Sequence, residues 1–212
     1  MMVMTHVLVG IVLGVVATSF VPEAAPLAVA AGAVGGAVPD LDLYVGHRRT
    51  LHFPVYGPLA AASAAVVATV STSVGTVVLA TFLAAAGLHA AMDALGGGLE
   101  LKPWQATSER AVYSHFHGRW LRPRRFVPYD GAPADLALAG ALALPTLTVG
   151  DATVDLVTAT LLAVATGYTL LRRRLADYWA RLVHLVPPAF VEYLPRRFAV
   201  VHRSNAAVPG DD

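Results

Sequence analysis

Three short stretches of this 212-residue chain hold residue types that bind metal ions. They are Pro39-Asp40-Leu41-Asp42, His47-Arg48-Arg49-Thr50-Leu51-His52 and His89-Ala90-Ala91-Met92-Asp93, with His6 alone near the start. Imidazole and carboxylate together suit divalent ions such as zinc, manganese and iron. The chain has no cysteine, which excludes disulfides and thiolate sites. On a helix, His89 and Asp93 share one face, so they can ligate one ion or the Asp can orient the His. Asp40 and Asp42 lie two apart after a proline. An extended segment there would point both carboxylates the same way, and such a pair repels unless a cation lies between them. The bland readings are a helix-end cap for each Asp and a polar tip at an interface for each His. His184 and His202 are read as such tips, while His115 and His117 stay open between surface and site lining.

The elements that must position these residues are apolar. The chain is 56% hydrophobic and only 14% charged, with mean hydropathy +0.61, where a soluble domain carries about 25% charged residues. Apolar runs cover Val3–Val21, Leu27–Val38, Val55–Ser73, Thr76–Leu95, Leu136–Val149 and Thr153–Leu171. They predict an all-α, polytopic helical membrane bundle of about six helices, the second short enough to be re-entrant. The first run lacks the basic flank of a signal peptide and is read as a retained helix. Gly10 and Gly14, and Gly32 and Gly36, have the spacing that lets helix backbones approach closely. The embedded domain is expected over 1–174, with its metal-site half at 1–104 and a polar segment at 96–135. Arg172, Arg173 and Arg174 are expected to stop the last helix. An interfacial amphipathic helix follows over 175–203 and a disordered tail over 204–212.

If six helices alternate in direction, the turns at Pro22–Pro26, Ser73–Gly75 and Gly150–Asp151 share one side and carry no Lys or Arg. All fifteen basic residues fall on the other side, which the positive-inside rule makes cytoplasmic. The same threading brings His6, Asp40, Asp42, His47, His52, His89 and Asp93 to that side, although it was not chosen to do so.

The pattern resembles the YdjM/YbcI-type membrane-bound metal-dependent hydrolases, related by fold to the zinc-dependent phospholipase C and P1 nuclease group. That family has a His in its first helix, a Gly-rich helix ending in PDxD, an HR followed by TH, and a His- or Asp-bearing helix. The matching segments are THVLVG, GGAVPDLD, HRRTLH and HAAMD, covering about residues 1–104. Two positions depart from the pattern: Thr50 stands one place early, and Phe53 occupies the place of a frequent Ser.

The resemblance implies hydrolysis, with His6, Asp40, Asp42, His52, His89 and Asp93 as metal ligands. Six ligands exceed the needs of one tetrahedral zinc and suit two or more ions sharing carboxylates. Asp42, His47 and Arg48 are the expected catalytic residues, with His47 a further ligand or proton shuttle and Arg48 and Arg49 binding phosphate oxygens. Zinc is the first-choice ion, with manganese or iron as alternatives. A site level with lipid headgroups favours a membrane lipid or other amphiphilic phosphoester. The rival readings are a metal-ion or proton transporter and a non-catalytic membrane protein with a structural metal site. Nucleic acid is not an expected partner, because juxtamembrane arginines more commonly meet anionic lipid. Oligomeric state is left open.

Overall fold

Apolar segments too long to be covered by one another become helices here, because a helix satisfies its own backbone hydrogen bonds. The computed structural model describes residues 1–148, 151–191, 193 and 194. Its helices are α1 (Val3–Thr18), α2 (Ala25–Ala37), α3 (Leu43–Gly46), α4 (Tyr56–Val70), α5 (Val74–Leu95), α6 (Pro133–Leu147), α7 (Ala152–Leu182) and the short α8 (Pro188–Val191). A two-stranded antiparallel hairpin, β1 (Tyr113–Ser114) and β2 (Arg119–Trp120), lies in the polar segment. The expected disordered tail at 204–212, and most of the expected interfacial tail beyond residue 191, lie outside the described residues.

Among the described residues, three helical stretches are long and apolar enough to cross a membrane: Pro22–Gly46, Val74–Leu95 and Ala152–Leu182. The other three apolar helices, α1, α4 and α6, are shorter, with 16, 15 and 15 residues. They fall short of the roughly 20 residues of a full crossing, so the expected set of six spans is not reproduced. Large apolar side chains point outward even so. α4 buries none of its residues, and Leu59, Val66, Val67 and Val70 are all exposed. Lipid is the solvent that suits such a surface.

Glycine sets how close the helices come. A Cβ on Gly10 would overlap the Gly32 carbonyl, and one on Gly36 would overlap the His6 carbonyl, so α1 and α2 meet backbone to backbone. Gly35 meets the Phe82 carbonyl of α5, and Gly57 meets Gly87 where α4 crosses α5. The GxxxG expectation for α1 and α2 is met in these contacts.

Polar groups pin the ends. Ser73 and Thr76 form a capping box on α5, and Asp151 Oδ1 accepts from the Thr153 and Val154 amides to start α7. At the opposite end, buried Asp135 of α6 accepts from Met2 N and Thr5 Oγ1, each at 2.7 Å. It thereby caps α1 from a neighbouring helix. The 124–126 segment donates its amides to the carbonyls of Ala94, Gly96 and Leu95, closing the end of α5.

α7 corrects one expectation. Arg172–Arg174 do not stop it; the helix runs 31 residues to Leu182. Arginine ends an apolar run without ending a helix, since it is a good helix former. Arg172 turns inward and forks onto Asp130, Nε to Oδ2 and Nη2 to Oδ1, both at 3.1 Å. Tyr168 donates to the same carboxylate at 2.5 Å. Burial acts to raise the Asp130 pKa, but Arg172 and Tyr168 outweigh it and hold the carboxyl below its usual range. Asp130→Asn should therefore lower stability by roughly 3 kcal/mol at pH 7. Because the folded pKa is depressed, this contribution is present above the unfolded value of about 4 and fades as pH falls below it. Unfolding in detergent at pH 7 and at about pH 3 checks it: the gap between wild type and variant should shrink at the lower pH.

Candidate metal centre

The ends of four elements bring the expected residues together. His6 lies in the first turn of α1, Asp40 in a 3-10 segment (Val38–Asp42) after α2, His52 in the loop before α4, and His89 and Asp93 in the last turns of α5. One ligand atom each from Asp40, His52, His89 and Asp93 lies within 4.8 Å of the others. This group can hold a metal ion.

Tautomers are fixed by what surrounds the rings. His89 Nδ1 lies 2.7 Å from the Gly36 carbonyl, which can only accept, so Nδ1 carries the hydrogen. His52 Nδ1 lies 3.0 Å from Asp42 Oδ2 and donates likewise. Both Nε2 atoms are buried without a hydrogen-bond partner. In the neutral rings they turn lone pairs toward carboxylates; in the protonated rings they turn N–H groups toward them. His89 Nε2 is 3.6 Å from Asp40 Oδ1 and 3.6 Å from Asp93 Oδ2. His52 Nε2 is 3.9 Å and 3.3 Å from the same two atoms. Acceptors facing acceptors in a buried place call for a cation between them. In a zinc tetrahedron with bonds of about 2.0–2.1 Å, neighbouring ligand atoms are about 3.3 Å apart. The four imidazole–carboxylate distances are of that order or a little longer, so the donor set can hold a divalent ion.

Asp93 is the hub. Its Oδ1 accepts from the Met1 nitrogen at 2.7 Å and from His6 Nε2 at 3.2 Å. Its Oδ2 lies 3.1 Å from Arg48 Nε. Among the four gathered residues, Asp40 alone is partly open, its side chain 25% exposed, while the other three are at 1% or below.

The remaining expected residues stand otherwise. Asp42 is not among the four gathered residues. Its oxygens accept from the amides of Arg48, Arg49 and Leu51 at 3.1–3.3 Å and from the rings of His47 and His52. The segment is 3-10 rather than extended, so Asp40 and Asp42 diverge, one toward the cluster and one into the loop. His6 stacks flat on His89 with centroids 3.7 Å apart, and its Nδ1 is buried without a hydrogen bond. His47 lies at the rim, Nδ1 3.1 Å from Asp42 Oδ1 and 3.9 Å from Asp40 Oδ1. Arg48 departs from the expected phosphate-binding role. It is buried, its Nη1 donates to the Gly97 carbonyl at 2.8 Å, and its Nε faces Asp93. Arg49 is exposed, its guanidinium 4.7 Å above the Tyr113 ring. His115 and His117 sit on the hairpin and outside the cluster. His115 Nε2 bonds the Arg49 carbonyl at 2.6 Å, and His117 Nδ1 pairs with Ser114 Oγ at 2.8 Å.

Residue-by-residue reading of the chain overlooked the partners that act through backbone. Tyr113 N donates to the Arg48 carbonyl at 2.9 Å, so the hairpin clamps the His47–His52 loop. Arg48 itself is left-handed, with φ 58°. The Gly36 carbonyl and Asp135 were equally invisible as site supports; the Gly36 spacing was the one signal present.

No protein-family model, curated protein or solved structure matches the chain.

Burial acts to lower the His52 pKa, but the Asp42 and Asp93 carboxylates beside it more than compensate, and the net direction is upward. Protons therefore compete with metal above the ordinary imidazole range of about 6.5. Zinc titrated by calorimetry should bind more weakly at pH 6 than at pH 8 and release protons on binding. Elemental analysis should find one ion per wild-type chain and little in His89→Ala or Asp93→Asn. Asp42→Asn should weaken binding about 10–100-fold through loss of the His52 orientation. Two ions per chain would restore the multinuclear expectation.

Proposed function

We propose that this chain is an integral membrane hydrolase that uses a divalent ion, zinc first, to cleave a phosphoester bond of a lipid or other amphiphile on the cytoplasmic side. The observation that carries it is the convergence of Asp40 Oδ1, His52 Nε2, His89 Nε2 and Asp93 Oδ2, with both ring tautomers set for ligation. The resemblance of PDLD, HRRTLH and HAAMD to the YdjM/YbcI-type membrane-bound hydrolases supports the same reading. Zinc stands first because two of the four gathered groups are imidazoles, which suit zinc better than magnesium. The cytoplasmic assignment rests on the clustering of basic residues on the site's side of the chain.

Asp40, His52, His89 and Asp93 would hold a divalent ion, which when bound would supply Lewis acidity toward a phosphoryl oxygen and toward water. The chain's own groups do the rest. Asp40 forms the open edge, where a substrate can reach the cluster. His47, held by Asp42 at that edge, is placed to take or return a proton. Arg48 offsets the charge of Asp93 from behind, and exposed Arg49 is left to meet phosphate. With a single gathered group of four, a mononuclear centre replaces the two-ion clamp in this reading.

A second reading has an observation of its own. Four protein ligands are what a structural zinc site has, whereas catalytic sites usually keep three and an open position. In that case the ion only fixes the bundle. Exposure of Asp40 favours catalysis over closure.

The purified protein loaded with zinc should hydrolyse phosphatidylglycerol in vesicles or a soluble aryl phosphodiester. Asp40→Ala and His89→Ala should retain helical content and lose more than ~100-fold in rate. Metal loss in these variants with unchanged phosphodiesterase activity sinks the hydrolase. A metal-loaded but inactive wild type that unfolds on chelation establishes the structural site instead.

A further inference from the structure

Two exposed apolar groups flank the loop that carries His47 and His52. On one side are Leu41, Tyr44 and Val45, the last two 74% and 75% exposed. On the other are Phe53, Tyr56 and Phe116, the last at the hairpin tip and 59% exposed. Phe116 and Tyr56 meet edge to face at 6.0 Å, and Phe53 lies against His115 at 4.9 Å. Gly118, left-handed at φ 63°, lets the hairpin turn so that Phe116 stands outward. A cation shares the band: the Arg49 guanidinium lies over Tyr113, whose ring meets His115 at 5.1 Å.

Tyrosine and phenylalanine beside arginine and histidine are the composition of a membrane–water interface. The chain identifies the occupant by continuity. Leu41, Tyr44 and Val45 are the final residues of the Pro22–Gly46 stretch that is long and apolar enough to cross a membrane. Tyr56 is the first residue of α4, whose exposed residues are mostly apolar, with Ser63 and Thr69 bonded back to the helix's own carbonyls. Chain that leaves and re-enters lipid between residues 46 and 56 places both groups at the bilayer surface. Asp40, the open edge of the cluster, immediately precedes Leu41 in the same 3-10 segment.

We infer that these two apolar lips sit in the headgroup–acyl boundary of the leaflet and that the site takes an amphiphile sideways from it. The polar head reaches Asp40 and Arg49 while the chains stay in lipid. The fate of the amphiphile rests on the hydrolase reading; the immersion of the lips does not.

The absence of native cysteine makes the test direct. Nitroxide labels at Tyr44→Cys and Phe116→Cys are compared with exposed Glu109→Cys, in full-length protein in phosphatidylethanolamine–phosphatidylglycerol vesicles. The ratio of oxygen to nickel-chelate accessibility should be several-fold higher at 44 and 116 than at 109. Equal ratios at all three overturn the proposal, and so do labels reached by neither reagent, which would mean that a second protein copy covers the lips. The substrate arm uses Tyr44→Ser with Val45→Ser, and Phe116→Ser, each checked for unchanged zinc content. Hydrolysis of vesicle phosphatidylglycerol should fall several-fold while a short-chain soluble phosphodiester is cleaved as before. Equal loss on both substrates overturns sideways entry. If the wild type cleaves neither, the hydrolase reading fails and the labels alone decide immersion.

Discussion

Two imidazole nitrogens and two carboxylates crowded into a largely buried place, open only at Asp40, are the constraint on which this structure depends. The Gly36 carbonyl and the Asp42 carboxylate can only accept, so each fixes the hydrogen of a neighbouring imidazole on Nδ1. When the ring is neutral, its other nitrogen turns an electron pair toward Asp40 and Asp93. Arg48 and the Met1 nitrogen offset Asp93 from outside the group and leave its centre acceptor-rich. A proton or a divalent ion must answer that arrangement, and the two compete for it.

Helix packing delivers the arrangement. Because Gly10 meets Gly32 and Gly36 meets His6, α1 and α2 are held by backbone contact, with little side-chain volume between them to adjust. Gly35 against Phe82 then sets α5, and with it His89 and Asp93. Asp135 caps α1 from α6 and fixes the height of His6. Small residues in the apolar helices and a few buried carboxylates at one end thus work as one device. The first brings backbones near, and the second stops them sliding.

Much of this was legible in the chain, for local reasons. HAAMD places His89 and Asp93 on one helical face whatever surrounds them. The glycine spacing announced close contact, and the alternation of apolar runs brought the distant candidate ligands to one end. What failed to show depends on partners remote in sequence. Asp42 looked like a ligand because Pro39 was expected to leave an extended chain; a 3-10 turn rotated it into the loop instead. Arg48 looked like a phosphate grip because its attraction to Asp93, across the fold, has no local signature. Arg172 looked like a stop because Asp130 is forty-two positions away. The hairpin at Tyr113–Trp120 left no strong alternating pattern, being two residues per strand.

Three of the four gathered residues ride on helical segments, and only His52 rides on a loop. The hairpin holds that loop by its carbonyls, through Tyr113 N on Arg48 and His115 on Arg49. The centre is thus a vice with one fixed jaw and one set from outside. Bundle packing sets the fixed jaw; the polar segment sets the other through one main-chain amide, that of Tyr113, and one side chain, that of His115. The position of His52 accordingly depends on residues 113–120 as well as on the helices, a separation of adjustment from support within one small apolar domain.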